Sequence, residues 1–154
     1  MMKIMTSLIA CLLLMSAAIA SAESENGLIS QVSQYSVEET VDRFVAAIEK
    51  AGLKVFTRID HAAGADEAGQ SLRPTQLIIF GSPKLGTALM ISDQRVGIDL
   101  PLKALAWKDA EGKVWLSYNN PDYLFGRFAI HDREPAKQKM TRALKKFAQQ
   151  ATNP

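Results

Sequence analysis

Asp60 and His61 form the pair of neighbouring residues in this sequence that could most readily do acid–base chemistry. A histidine beside a carboxylate could act as a general base or bind a metal ion. The competing interpretation is structural: Asp60 caps the following turn and His61 packs over the small residues after it. Neighbouring residues of a strand point to opposite faces, so Asp60 does not by itself orient His61.

Lys84 and Asp99 are the other candidates for polar contacts with a ligand. Lys84 follows Ser82-Pro83, which is typical of a helix start with Ser as the cap, and it could meet an anionic ligand beside exposed N–H groups. Asp99 is first a turn residue and second a candidate ligand. We expect His61, Lys84 and Asp99 to share one ligand-binding site, because the Ile59 and Phe80 ends of two paired strands could meet.

Gly81 and Gly86 have the spacing of half a phosphate-binding loop. That motif continues with a lysine, but Thr87 stands at this position, so the residue that would reach the phosphates is absent. The sequence therefore favours structural roles, with Gly81 in a turn and Gly86 at a place of close packing.

The cysteine count and the net charge argue against several other kinds of site. Cys11 is the single cysteine and lies in a segment that we expect to be removed, which excludes a disulfide framework, a cysteine-ligated zinc site and a thiol nucleophile. We expect no metal and no cofactor. The 18 basic and 16 acidic residues give a formal net charge of +2, too weak a field to predict a nucleic-acid partner.

Residues 1–22 are typical of a cleaved secretory signal. Lys3 precedes an apolar run, and Ala20-Ser21-Ala22 is a small-x-small cleavage site. A retained membrane helix is less consistent with so short an apolar run. Leu8-Ile9-Ala10-Cys11 also spells a lipoprotein cleavage motif, but apolar residues continue behind Cys11 where a lipid-bearing cysteine should begin a polar tether.

We therefore expect a chain that begins at Glu23 and is periplasmic or secreted, with no stable membrane insertion after cleavage. Residues 23–26 form a flexible lead-in, and residues 27–152 form a single domain of sufficient size to bury a core.

The mature sequence alternates strand and helix signals. Ser36 and Glu39 form a capping box before a helix, and Gly52 suits its left-handed end. The apolar face of this helix consists of Val37, Val41, Phe44, Val45 and Ile48. A strand follows with Val55 and Thr57 on one face, then an apolar strand at 75–80.

A hairpin is predicted where strands 102–108 and 114–119 flank a turn signal, so Trp107 and Trp115 face each other across it. A long amphipathic helix begins at Glu134-Pro135. This order predicts an α+β layer, an antiparallel sheet with two long helices on one face.

Several stretches together carry a family resemblance. They are Ile59-Asp60-His61-Ala62-Ala63, Leu72-Arg73-Pro74-Thr75, the strand–turn–helix 77–90, Gly97–Trp107 and Val114–Pro121. Together they resemble the DUF302 family, which has no established biochemical activity. The resemblance covers nearly all of residues 27–150. It implies a TBP-like β-α-β4-α fold and members that form dimers.

Three functions remain open from the sequence. The first is a non-enzymatic domain that binds a small apolar or weakly anionic molecule, or a protein partner, in a groove between the sheet and the long helices. The second is an enzyme that uses His61 as its general acid/base with Asp60 or Asp99 nearby. The third is a structural homodimer.

Overall fold

A computed structural model describes residues 22–23 and 26–154 of the chain. The signal predicted over residues 1–22 and the lead-in predicted over residues 23–26 fall largely outside this part, so both stay predictions. The strands are β1 (Ala22–Glu23), β2 (Leu28–Ser33), β3 (Lys54–Asp60), β4 (Thr75–Gly81), β5 (Leu102–Lys108) and β6 (Val114–Asn119). The helices are α1 (Val37–Lys50), α2 (His61–Glu67), α3 (Pro83–Ser92), a 3₁₀ helix (Gln94–Ile98), α4 (Pro121–Arg127) and α5 (Glu134–Thr152).

All strand pairs of the sheet are antiparallel, in the order β1-β2-β6-β5-β4-β3. The side chain of Gln31 in β2 donates to Thr152 of α5, and Ser33 bonds Thr40 of α1. Residues two apart on a strand share a face, so both long helices lie on the same side of the sheet. The α+β fold predicted from the sequence is confirmed, with the two-residue β1 as an addition.

The core lies between this face and the two long helices. Phe44 of α1 is fully buried, and its ring meets Phe80 of β4 and Phe147 of α5 edge-on, at centroid distances of 5.2 and 6.5 Å. Such edge-to-face contacts add to the stabilisation from buried apolar area. The helix face predicted for α1 is therefore the face that fills the core.

Local signals fix both ends of α1. The backbone N–H of Glu39 donates to Ser36 Oγ at 3.1 Å, as the capping box predicts. At the other end Gly52 has a φ of +76°, the left-handed conformation that ends many helices. The chain then turns directly into β3.

A bulge in β3 changes which side chains share a face. Val55 pairs with Phe80 but Thr57 pairs with Ile79, so Phe56 is an extra residue in the strand. The expectation that Val55 and Thr57 lie on one face is therefore wrong. Beyond the bulge Arg58 faces α1, where its guanidinium contacts the Asp42 carboxylate at 2.6 Å.

The predicted hairpin is confirmed as β5 and β6. Trp107 and Trp115 are paired in register and their rings stack 6.2 Å apart. Their indole N–H groups donate to Ser117 Oγ and Asp109 Oδ2 at 3.1 and 2.7 Å. Both rings lie on the sheet face opposite the long helices and are half-buried. Their role is cross-strand packing.

Within residues 22–23 and 26–154, none of the helices combines the length and the apolar character needed to cross a bilayer.

Candidate ligand-binding cleft

A cleft of about 790 Å³ opens where the ends of β4 and β5 meet α3 and α5. This volume lies within the range of small-molecule sites. Phe80 and Leu102 line it from the sheet, Met90 from α3, and Met140 and Phe147 from α5. The lining is therefore mainly apolar, and it lies at the edge of the core between the sheet and one long helix.

The sequence positions α3 beside this cleft through a sharp turn. β4 ends at Gly81, and Pro83 occupies the first helical position, as predicted. Ser82 stands at the N-cap, but its side chain makes no capping hydrogen bond, contrary to the expectation. Leu89 is fully buried and ties α3 to the core. Residues 83–88 and Met90 of the same helix line the cleft.

Two lysines supply the charge at the cleft. Lys84 of α3 and Lys139 of α5 line it, both are exposed, and no aspartate, glutamate or histidine is among the described lining residues. In the part of the chain that the structure describes, neither ammonium forms an ion pair. Unpaired cations on an apolar lining favour an anionic group on whatever binds there.

Lys84 was among the residues predicted from the sequence to contact a ligand, and Lys139 was not. In the sequence Lys139 is one of several lysines on the polar face of α5, and nothing distinguishes it from Lys145. Only its place in the lining of the cleft, which α5 shares with α3, selects it.

Asp99 lies near the cleft but outside its lining. Its carboxylate accepts from Arg127 of α4 at 3.0 Å, and the two residues after it, Leu100 and Pro101, do line the cleft. The Leu100–Pro101 peptide bond is cis. The structure thus places Asp99 in a turn that carries the cleft wall, with its charge already paired.

His61 lies at the other end of the sheet. β3 and β4 are antiparallel, so Lys54 pairs with Gly81 while Asp60 pairs with Gln76. The ends at Ile59 and Phe80 therefore do not meet, and the expectation of one site shared by His61, Lys84 and Asp99 is wrong. Gly81 is five positions after Gln76 along the strand, a distance of about 17 Å.

The Asp60 carboxylate has a capping role. Its Oδ1 accepts from the backbone N–H groups of Ala62 and Ala63 at 2.9 and 3.0 Å, and its Oδ2 accepts from Gln76 at 3.1 Å. Among the described residues, no carboxylate is bonded to the exposed ring of His61. The structure therefore agrees with the capping interpretation of Asp60. Asp60 and His61 do not form an acid–base pair in it.

The side chains that would bind a metal ion do not form a cluster in the described part of the chain either. No group of three or more His, Cys, Asp or Glu side chains comes together within residues 22–23 and 26–154.

Gly86 contributes space to the cleft. A Cβ atom at this position would lie 3.7 Å from Leu100 Cδ1, an ordinary van der Waals distance. The expectation that Gly86 permits close packing is therefore not met. A Cβ at Gly81 would also meet its neighbours at ordinary distances, the nearest being Pro101 Cβ at 3.7 Å.

Residues 29–147 match the family described as a domain of unknown function, DUF302. The chain belongs to the DUF302 family. Its fold also matches the crystal structure of an uncharacterized conserved DUF302 protein from Bacillus stearothermophilus, with a TM-score of 0.73 over 81% of this chain and 98% of that one. The identity of 15% makes this a likeness of fold alone.

Closer relatives by sequence are longer than this DUF302 chain. It is 50% identical over 106 residues to the fluoride-specific ion channel FluC 1 of Brucella suis biovar 1 (strain 1330). The matched region covers 69% of this chain and 42% of that protein. The same identity holds for FluC 1 of Brucella abortus biovar 1 (strain 9-941), of which 39% is covered. The chain thus spans about two fifths of the curated relatives that it matches.

Proposed function

We propose that this DUF302 domain is an exported binding protein that holds a small, largely apolar molecule in the cleft between α3, α5 and the ends of β4 and β5. The observation that carries the proposal is the cleft itself: about 790 Å³ of space with a mainly apolar lining. Burial of apolar ligand surface there supplies the binding free energy, at roughly 25 cal/mol per Å².

Binding is favoured over catalysis by what surrounds the cleft. Chemistry at a bound molecule needs an acid, a base or a nucleophile within hydrogen-bond reach. His61 lies at the other end of β4, and the Asp99 carboxylate is paired with Arg127. Lys84 and Lys139 can contact a ligand as cations.

A second candidate function follows from the names of the Brucella relatives. Those proteins are named fluoride-specific ion channels, and this chain matches about two fifths of their length at 50% identity. The domain would then serve a fluoride channel as an attached or associated module. Fluoride titration followed by fluorine NMR tests whether the domain itself binds the ion.

The proposal is tested by titrating the protein with Nile red, a neutral apolar dye whose fluorescence rises in apolar surroundings. We compare the wild type with Ala88→Leu, because Ala88 of α3 lines the cleft. The matched control is Ala46→Leu, the same change on the exposed face of α1. Both changes keep a good helix former, so both variants should fold.

We expect saturable one-to-one binding in the wild type and in Ala46→Leu, and a loss of at least about tenfold in Ala88→Leu, about 1.4 kcal/mol. Absence of saturable binding, or equal binding by the two variants, would show that the cleft is not the site. Native mass spectrometry of the protein purified from its own cells then identifies any retained molecule.

A further inference from the structure

The charges that line the cleft restrict its ligand further than the apolar surface does. Lys84 comes from the first turn of α3 and Lys139 from the N-terminal half of α5, so two separate helices each place one cation on the lining. No acidic side chain among the described lining residues offsets them. A ligand that is neutral or cationic would form no ion pair with either of these two groups.

Lys139 lines the cleft, and it differs from the nearby Lys137 of α5 in having no carboxylate partner in the part of the chain that the structure describes. Lys137 is engaged by two carboxylates, Asp122 Oδ1 at 3.1 Å and Glu134 Oε2 at 3.0 Å. Lys139 and Lys84 have no such partner within the part of the chain that the structure describes. Their charges therefore remain available to a bound molecule.

We propose that the natural ligand is an amphipathic acid: an acyl or similar apolar chain that lies in the cleft, with a carboxylate at the rim between Lys84 and Lys139. This inference rests on the proposed function, because it assigns the ligand of the same cleft. The apolar part fits the lining that includes Met90 and Met140, whose flexible side chains adapt to chains of variable shape. The carboxylate meets the two cations, which are exposed and therefore screened by salt.

Three probes of the same chain length test the head group: decanoate, decanol and decyltrimethylammonium, each measured by displacement of Nile red. We expect decanoate to bind about five to ten times more tightly than decanol, since each of the two exposed ion pairs contributes up to about a factor of five. The cation should bind most weakly. Raising the salt concentration should reduce the preference for decanoate and leave decanol unchanged.

The double variant Lys84→Gln/Lys139→Gln should bind decanoate no better than decanol. Lys145→Gln, on the exposed face of the same α5 helix, is the matched control and should keep the preference. Equal affinity for the three probes, or an unchanged preference in the double variant, would contradict the proposal of an acidic ligand. The proposal that the cleft binds an apolar molecule would not be affected. Failure of all three probes and of Nile red would instead overturn the binding function itself.

Discussion

His61 and Lys84 follow opposite ends of the β3–β4 strand pair, because Asp60 is in register with Gln76 while Lys54 is in register with Gly81. The antiparallel pairing of β3 with β4, and not the conformation of any loop, sets the distance between His61 and Lys84. One small molecule in the cleft can contact Lys84 but does not reach His61.

The first prediction concerns His61. We expect His61→Ala to leave Nile red and decanoate affinity unchanged, because the ring is exposed and does not line the cleft. Surface changes of this kind alter stability by less than about 0.5 kcal/mol. Fluorescence titration and urea unfolding measure the two quantities. A variant that loses binding while remaining folded would restore His61 to the site.

The second prediction uses Gly86. Gly86→Ala should raise the free energy of unfolding by about 0.5–1 kcal/mol, because alanine has the better helix propensity and its Cβ has room. The same methyl group intrudes on the cleft, so Nile red affinity should fall. Gly64→Ala in α2, where a Cβ would meet nothing within 4 Å, is the control. It should gain similar stability with unchanged affinity, and a fall in both variants would contradict the assignment.

The third prediction ranks two contributions to α1. Phe44→Ala should cost about 3–5 kcal/mol, because the ring is fully buried between Phe80 and Phe147. Ser36→Ala should cost about 1 kcal/mol through loss of the cap to Glu39. Urea midpoints of both variants give the ranking. If Ser36→Ala were the more damaging change, the core face assigned to α1 would be wrong.

The fourth prediction concerns alkaline pH. Burial raises the pKa of Tyr118 to about 12, against about 10 in an unfolded chain. The folded state therefore holds this proton more tightly, and the associated stability is complete below pH ~10 and is lost as pH rises toward ~12. The melting temperature of the wild type should fall more steeply over this window than that of Tyr118→Phe. Parallel curves for the two proteins would contradict the assigned burial effect.

The elements with local signals were predictable from the sequence. The cap at Ser36, the left-handed Gly52 and the hairpin with Trp107 opposite Trp115 each depend on residues close together in the chain. Periodic apolar residues likewise identified the core face of α1, where Val41, Phe44 and Ile48 are buried.

The residues that line the cleft were harder to predict from the sequence, because long-range packing brings them together. The bulge at Phe56 and the register of β3 on β4 carry no local signature, and they decide which strand ends meet. Lys139 differs from Lys145 only in lining the cleft that α3 and α5 share. Asp99 was correctly seen as a turn residue, but its partner Arg127 lies 28 positions away.

The central claim is that the cleft beside α3 and α5 is the binding site, and amide NMR shifts during a decanoate titration test it most directly. The account predicts saturable shift changes concentrated at residues 83–90 of α3 and 139–147 of α5, with none at α2 around His61. Shift changes centred on α2 or on the Trp107–Trp115 face, or scattered without saturation, would contradict it.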